Sequence, residues 1–257
     1  MTERANGIVL VTGPTGSGKI TTLYSTLKLL AQESVNVSSL EDPIEMVVDG
    51  FNQSQIQPAI RYDFAGGIRT LMRQDSDIIM IGEIRDNEIA QMALQAALTG
   101  HLVLSTLHTN DAPSAISRLL DLGIPAHLLT ATLVGVMAQR LLRTLCVGCS
   151  KAVTPNAAVW QKLVAPFVIP RLQIIYQPGG CRECRNTGYA GREGIYEIMS
   201  IGGDLLAALR PDADMQHIRQ LAVKQGMRSL RLAGANAVTQ GITSIERVMR
   251  GTPQHIT

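Results

Sequence analysis

The chain has 257 residues, of which 46% are hydrophobic and 17% charged. That apolar content is enough to bury a core, so disorder is excluded as the main state, and the length suits one large domain or one with a small appendage. The net charge of +2, from 23 basic and 21 acidic residues, is too even for a nucleic-acid binder or a protein held to anionic lipid by charge.

The N-terminus, MTERANG, is charged and runs straight into a strand-like segment, unlike a signal peptide. No apolar run reaches the roughly 18 residues that a membrane-spanning helix needs. A cytoplasmic location is expected, with no direct membrane insertion. Residues 8–12 (IVLVT) are a short apolar run of the kind a parallel strand shows when covered on both faces. A glycine-rich turn follows, then a helical pattern over 20–32. Residues 36–40 suggest a weaker second strand. A mixed segment with Pro43, Gly50 and Pro58 comes next, with room for an edge hairpin. Residues 64–73 read as a helix whose apolar face is Phe64, Ile68, Leu71 and Met72. Residues 77–82 are a third strand. Residues 87–99 are a helix, with Asn87 as candidate N-cap and Gly100 just past the end. Residues 102–107 are a fourth strand. A helix over 111–122 follows, with Pro113 near its start and Gly123 after it. Residues 125–143 read as one long apolar helix. The alternation of strands and helices predicts an open α/β sheet with helices on both faces. After residue 146 turn residues increase, and helices are expected at 214–225, 227–240 and 243–250. The last opens on Thr243-Ser-Ile-Glu246, a capping-box pattern.

The turn after the first strand is Gly13-Pro14-Thr15-Gly16-Ser17-Gly18-Lys19. Glycines let backbone N–H groups turn toward phosphates, a lysine reaches the β- and γ-phosphates, and the following helix points its positive end at the anion. Strand, loop, lysine and helix stand in the order that a nucleotide-binding P-loop requires. The next residue should carry a hydroxyl to ligate Mg²⁺, but it is Ile20. Thr21 and Thr22 follow, each turned about 100° further around the helix. Thr21 is counted among the nucleotide-binding candidates, and a weakened Mg²⁺ site is expected.

Sites in open α/β sheets form at the carboxyl ends of the strands. The second strand ends in Glu41-Asp42-Pro-Ile-Glu45, the third in Gly82-Glu83-Ile-Arg85-Asp86 and the fourth in His108-Thr-Asn-Asp111. Asp86 and Asp111 also suit simple helix capping. Glu83 follows an apolar strand and a glycine, where a carboxylate suits activating a water or holding Mg²⁺ through one. His101 and His108 bracket the fourth strand about 20 Å apart, so only one reaches a given phosphate. His108, at the carboxyl end, is the candidate sensor; His101 is either structural or faces a neighbouring subunit. Arg69 and Arg73 share one helical face, as solvated surface or as γ-phosphate stabilisers in cis or in trans.

All four cysteines fall in two CxxC pairs, Cys146/Cys149 and Cys181/Cys184. Two such pairs complete a tetrahedron around one Zn²⁺ and leave no open position, so a structural zinc is expected rather than a catalytic one.

Together these stretches resemble the C-terminal ATPase domain of the type II secretion and type IV pilus assembly ATPases. The matching segments are GPTGSGK at 13–19, EDPIE at 41–45, RQDSDIIMIGEIRD at 73–86, TGHLVLSTLHTNDA at 99–112, the cysteine pairs, and TGYAGREGIYEI at 187–198. The resemblance covers essentially the whole chain. It implies a RecA-like P-loop core over 1–145, a tetracysteine segment over 146–200 and a helical subdomain over 201–257. It implies a homohexameric ring, ATP with Mg²⁺, assembly of a pilus or secretion pseudopilus, and peripheral association with the inner membrane through a platform protein. It places Glu41, Asp42 and Glu45 in an acidic box, Glu83 in a Walker B motif, and His101 and His108 in a histidine box. Glu41 thereby joins Glu83, His108, Arg69 and Arg73 as a catalytic candidate. The family's enzymes are about twice this length, and Leu232-Ala233-Gly234 stands where they commonly have an acidic residue before the glycine. The alternative is a nucleotide-binding remnant that turns nothing over.

Overall fold

The computed structural model describes residues 4–170 and 172–253; the first three residues of the charged N-terminal segment lie outside them. The fold is mixed α/β with a mostly parallel sheet. The chain divides into two compact units, one of residues 4–13, 19–137 and 198–227, the other of 14–18, 138–197 and 228–253.

In the first unit, β1 (Gly7–Thr12), β2 (Val37–Glu41), β3 (Asn52–Gln55), β4 (Ile78–Ile81) and β5 (Leu102–Leu107) pair in parallel in the order β3-β2-β4-β5-β1. Every residue of β1, β2, β4 and β5 is buried. That is why β1, β4 and most of β5 are runs of apolar residues rather than alternating, while the buried polar residues of β2, Ser38, Ser39 and Glu41, are hydrogen-bonded. The crossovers carry α1 (Lys19–Leu30), α2 (Phe64–Leu71), α3 (Asn87–Leu98) and α4 (Ala112–Asp121). Val9, Val11, Leu23, Leu27, Met80 and Leu104 pack into one cluster, with Ile20 partly buried against it. Of the strands β6 (Leu133–Leu145) and β9 (Tyr189–Ser200), residues 133–137 and 198–200 belong to this unit and the rest to the second. α5 (Ala126–Thr132), α7 (Gly203–Ala208) and α8 (Met215–Lys224) complete the unit, and α8 packs on α4.

In the second unit, β7 (Lys151–Val153) and β8 (Ile175–Gln177) form a short antiparallel ladder. α6 (Ala157–Val164), α9 (Leu230–Thr239) and α10 (Ile245–Gly251) pack around Trp160, Leu163, Val238 and Val248. Arg231 is buried, and its guanidinium donates to the Met249 and Thr252 carbonyls at 3.4 and 3.2 Å. It thereby satisfies acceptors at the end of α10 that would otherwise be orphaned.

Several expectations change. Residues 125–143 are not one helix: α5 ends at Thr132 and β6 begins at Leu133. The segment is apolar on every side, so periodicity does not separate helix from strand. Val134, Gly135 and Val136 favour the strand, because β-branched residues and glycine both weaken a helix interior. The mixed segment after β2 holds no edge hairpin with it: β3 pairs with β2 in parallel, and the antiparallel contact is a lone bridge between Gln57 and Tyr62. The cap of α3 is Asp86, which accepts from the Ile89 amide; Asn87 instead donates to the Leu122 carbonyl at 2.6 Å. The cap of α10 is Ser244, not Thr243, whose hydroxyl donates to the Arg143 carbonyl at 2.8 Å.

Candidate functional site at the strand ends

The order β2-β4-β5-β1 makes neighbours of four strands whose carboxyl ends carry polar residues, so Glu41, Glu83, His108 and the start of the glycine loop meet along one edge of the first unit. Buried hydroxyls hold that edge in register. Ser105 donates to the Ile81 carbonyl and Thr106 to the Gly82 carbonyl, both at 2.8 Å. The Thr12 and Thr109 hydroxyls meet at 2.7 Å.

Glu83 leaves β4 after Gly82 and is engaged on both oxygens. Arg85 donates to Oε1, and His108 Nε2 stands 3.1 Å from Oε2. Burial first, then the charges of Lys19 and Arg85, hold the His108 pKa below its ordinary value. That shift favours the neutral imidazole, and in this form the Nε2 that meets the carboxylate oxygen must be the protonated nitrogen. Arg85 also reaches Asp42 at 3.5 Å, tying the ends of β2 and β4. Arg85 was legible only as part of the IGEIRD stretch; its role as the bridge was not.

Glu41 is almost wholly buried. Its carboxylate accepts from the Tyr24 hydroxyl and the Ser39 hydroxyl, each at 2.6 Å, and from Gln53 Nε2 at 3.3 Å. Burial, and then the hydrogen bond to Glu41, push the Tyr24 phenol pKa up. Glu41 is thus fixed in place with its acceptor positions largely filled by this chain.

The loop opens with Gly13 at φ 153°, Gly16 at 76° and Gly18 at 85°, conformations that glycine adopts without strain. Gly18 also lies against β6: a Cβ there would meet Gln139 Nε2 at 2.9 Å. The Ser17 hydroxyl is buried and makes no hydrogen bond among the described residues, a donor left for an incoming acceptor. Pro14, Thr15 and Gly16 are exposed. Lys19 is buried, with Nζ donating to the Gly13 carbonyl at 2.9 Å. No acidic residue occupies the first turn of α1, so its positive end is not offset there. Ile20 offers no oxygen and packs against the apolar cluster, while Thr21 is exposed. The residues present therefore do not supply the usual hydroxyl ligand for Mg²⁺.

Other candidates lie elsewhere. Arg69 pairs with Glu88 at 2.7 Å where both side chains are at least half exposed, a contact of little net energy. Arg73 is exposed and forms no ion pair among the described residues. His101 sits at the opposite end of β5, its Nδ1 bonded to the Ala96 carbonyl at 2.9 Å.

In the second unit the four cysteines converge, although two pairs lie 35 residues apart. Their sulfurs all lie within 4.8 Å of one another. The Cys146–Cys181, Cys149–Cys184 and Cys181–Cys184 separations are 3.8, 3.7 and 3.7 Å. A tetrahedron with metal–sulfur bonds of about 2.3 Å has edges of about 3.8 Å. The four thiols are not joined as disulfides. Burial would raise the Cys184 pKa, but donation from the Cys181 and Gly188 amides outweighs it and brings the thiol down to about 6.

Comparison with known proteins agrees with this arrangement. The Type II/IV secretion system protein family matches residues 1–250. The type IV pilus assembly ATPase TfpB of Acinetobacter baylyi is 54% identical over 253 residues, covering 98% of this chain and 43% of TfpB. The type II secretion system ATPase E of Vibrio cholerae is 44% identical, with 98% and 50% covered. The chain thus spans about half the length of the curated relatives it matches. Among solved structures, the pilus retraction motor PilT with bound ADP superposes with a TM-score of 0.70 at 28% identity, covering 98% of this chain and 63% of PilT. No helix among the described residues is long and apolar enough to cross a membrane. The parallel sheet, the glycine loop before α1 and the family match over residues 1–250 together make this chain a member of the type II/IV secretion system protein family.

Proposed function

We propose that this chain is the ATP-hydrolysing motor region of a machine that assembles type IV pili or the type II secretion pseudopilus. Its core is of the RecA type, over residues 1–145. The observation that carries the proposal is the meeting of Lys19, Glu83 and His108 at adjacent strand ends, directly after a glycine loop. The names of the relatives and the ADP bound by PilT support it.

The loop amides of residues 13–18, the Ser17 hydroxyl and Lys19 bind the phosphates, with Lys19 leaving the Gly13 carbonyl for the anion. Glu83 positions or activates the attacking water. His108 steers that carboxylate by donating to it, and senses the terminal phosphate beside it. Glu41 is a fixed acceptor at the end of β2. Arg69, on the outer face of α2, and Arg73, in the turn that follows α2 rather than on its helical face, stabilise developing charge from a neighbouring copy in a ring of six. No step is assigned to Mg²⁺, since Ile20 removes its usual protein ligand. Cys146, Cys149, Cys181 and Cys184 hold a structural Zn²⁺ that cross-links two turns and takes no part in the chemistry. The machine's inner-membrane platform protein is the partner, placing this domain at the cytoplasmic side.

Calorimetric titration with ATP tests the phosphate site. Binding that weakens at least roughly tenfold in Lys19→Ala is the expected result; equal binding by both proteins would remove the loop from the site. Ile20 favours a second reading, a domain that binds nucleotide without turning it over. Ile20→Thr is expected to raise ATP turnover by roughly tenfold. No rise, with binding intact, would show that a missing hydroxyl is not what limits hydrolysis.

A further inference from the structure

Arg219, on α8, lies 108 residues from Asp111 in sequence, yet its Nη2 donates to Asp111 Oδ2 at 2.8 Å. The two side chains are 30% and 12% exposed. This pair is therefore far less hydrated than Arg69–Glu88, and removing the arginine strands a half-desolvated carboxylate. Asp111 is itself firmly placed. Its Oδ1 accepts from the Ser114 amide and hydroxyl at 2.9 and 2.6 Å, capping α4.

The contacts continue inward. The Asp111 carbonyl accepts from the Thr109 hydroxyl at 2.9 Å. The Thr109 hydroxyl stands 2.7 Å from that of Thr12, and the Thr109 amide donates to Thr12 Oγ1 at 2.9 Å. Thr12 also donates to the Leu107 carbonyl at 3.1 Å and immediately precedes Gly13, whose carbonyl receives Lys19. His108, between Leu107 and Thr109, is the residue that holds Glu83. A series of hydrogen bonds, joined through the covalent frames of Asp111 and Thr109, thus runs from α8 to the root of the phosphate loop, and its middle flanks His108.

We propose that Arg219 is a positioning residue for nucleotide hydrolysis: through Asp111 and Thr109 it fixes the ends of β5 and β1, and so the placement of His108, Glu83 and the loop beginning at Gly13. This rests on the assignment of that loop as the nucleotide site. Arg219 touches no nucleotide; it acts from a helix near the C-terminal end of the chain. A movement of α8 would therefore reach the reaction through this series.

The test compares the unmodified chain with Arg219→Gln, Arg219→Lys and Thr109→Val, by amide hydrogen exchange and ATPase kinetics. In Arg219→Gln, exchange at the Gly13 and Thr109 amides rises, kcat falls by roughly tenfold and nucleotide affinity changes by less than roughly threefold. Arg219→Lys restores most of kcat. Thr109→Val, which cuts the series in its middle, loosens the Gly13 amide without loosening α8. If Arg219→Gln loosens α8 alone and leaves the Gly13 and Thr109 amides and kcat unchanged, Arg219 is only a staple between α8 and α4 and the proposal is wrong. Should the unmodified chain neither bind nor hydrolyse ATP, the nucleotide assignment fails, and the exchange results alone decide whether the series transmits.

Discussion

Glu83→Gln is expected to lower ATP hydrolysis by roughly 10²- to 10⁴-fold while leaving nucleotide affinity within about twofold. Glutamine keeps the volume of the side chain and one oxygen, so β4 and its apolar packing are undisturbed. What disappears is the charge and the proton-accepting capacity. Glu83 is the carboxylate whose two oxygens are held by Arg85 and by His108, at a strand end beside Lys19. Such a group is held in a fixed orientation by both neighbours. Glu41, by contrast, already accepts from Tyr24, Ser39 and Gln53 and has little capacity left for a water. Single-turnover hydrolysis beside equilibrium binding separates the outcomes. Equal loss of both would make Glu83 a structural residue of the pocket, and unchanged turnover would remove it from the chemistry.

The second large effect is expected from metal removal. The purified protein should contain about one Zn per chain, and chelation or Cys184→Ser should abolish exchange protection over residues 146–188 and lower the melting temperature of the second unit. The two cysteine turns are brought together by the β7–β8 ladder and by the Cys146 amide donating to the Gly188 carbonyl at 3.0 Å, but no covalent bond holds the four sulfurs at 3.7–3.8 Å. Four thiolates without a cation would repel one another. Structural zinc in small domains is worth on the order of 10 kcal/mol of folding free energy, which gives the change its size. A protein free of zinc that melts identically with and without chelator would overturn the assignment.

How much of this was readable in the sequence follows from how local each signal is. The buried strands at 8–12, 77–82 and 102–107 announce themselves because a doubly covered strand is apolar along its whole length. The glycine loop is legible for the same reason: the strand before it and the helix after it are contiguous with it. The CxxC pairs carry their geometry in their spacing. The same uniform apolarity misleads at 125–143, where α5 gives way to β6 and only β-branched residues and Gly135 mark the change. Caps shift by one residue, from Asn87 to Asp86 and from Thr243 to Ser244, because neighbouring residues all have capping side chains. Long-range polar contacts are the least legible. Nothing local pairs Arg85 with Asp42, Tyr24 with Glu41, or Arg219 with Asp111. Each depends on strand order and on which helix faces inward. Arg69 shows the converse: its place on an exposed helix face leaves it with Glu88 rather than at Glu83.

The most direct test of the central claim is steady-state phosphate release from ATP by this chain, measured beside Lys19→Ala and Ile20→Thr over a range of protein concentrations. The expected result is slow turnover that rises in Ile20→Thr and vanishes in Lys19→Ala. Absence of phosphate release from both the unmodified chain and Ile20→Thr, with ATP still bound, would contradict a motor and leave a nucleotide-binding domain.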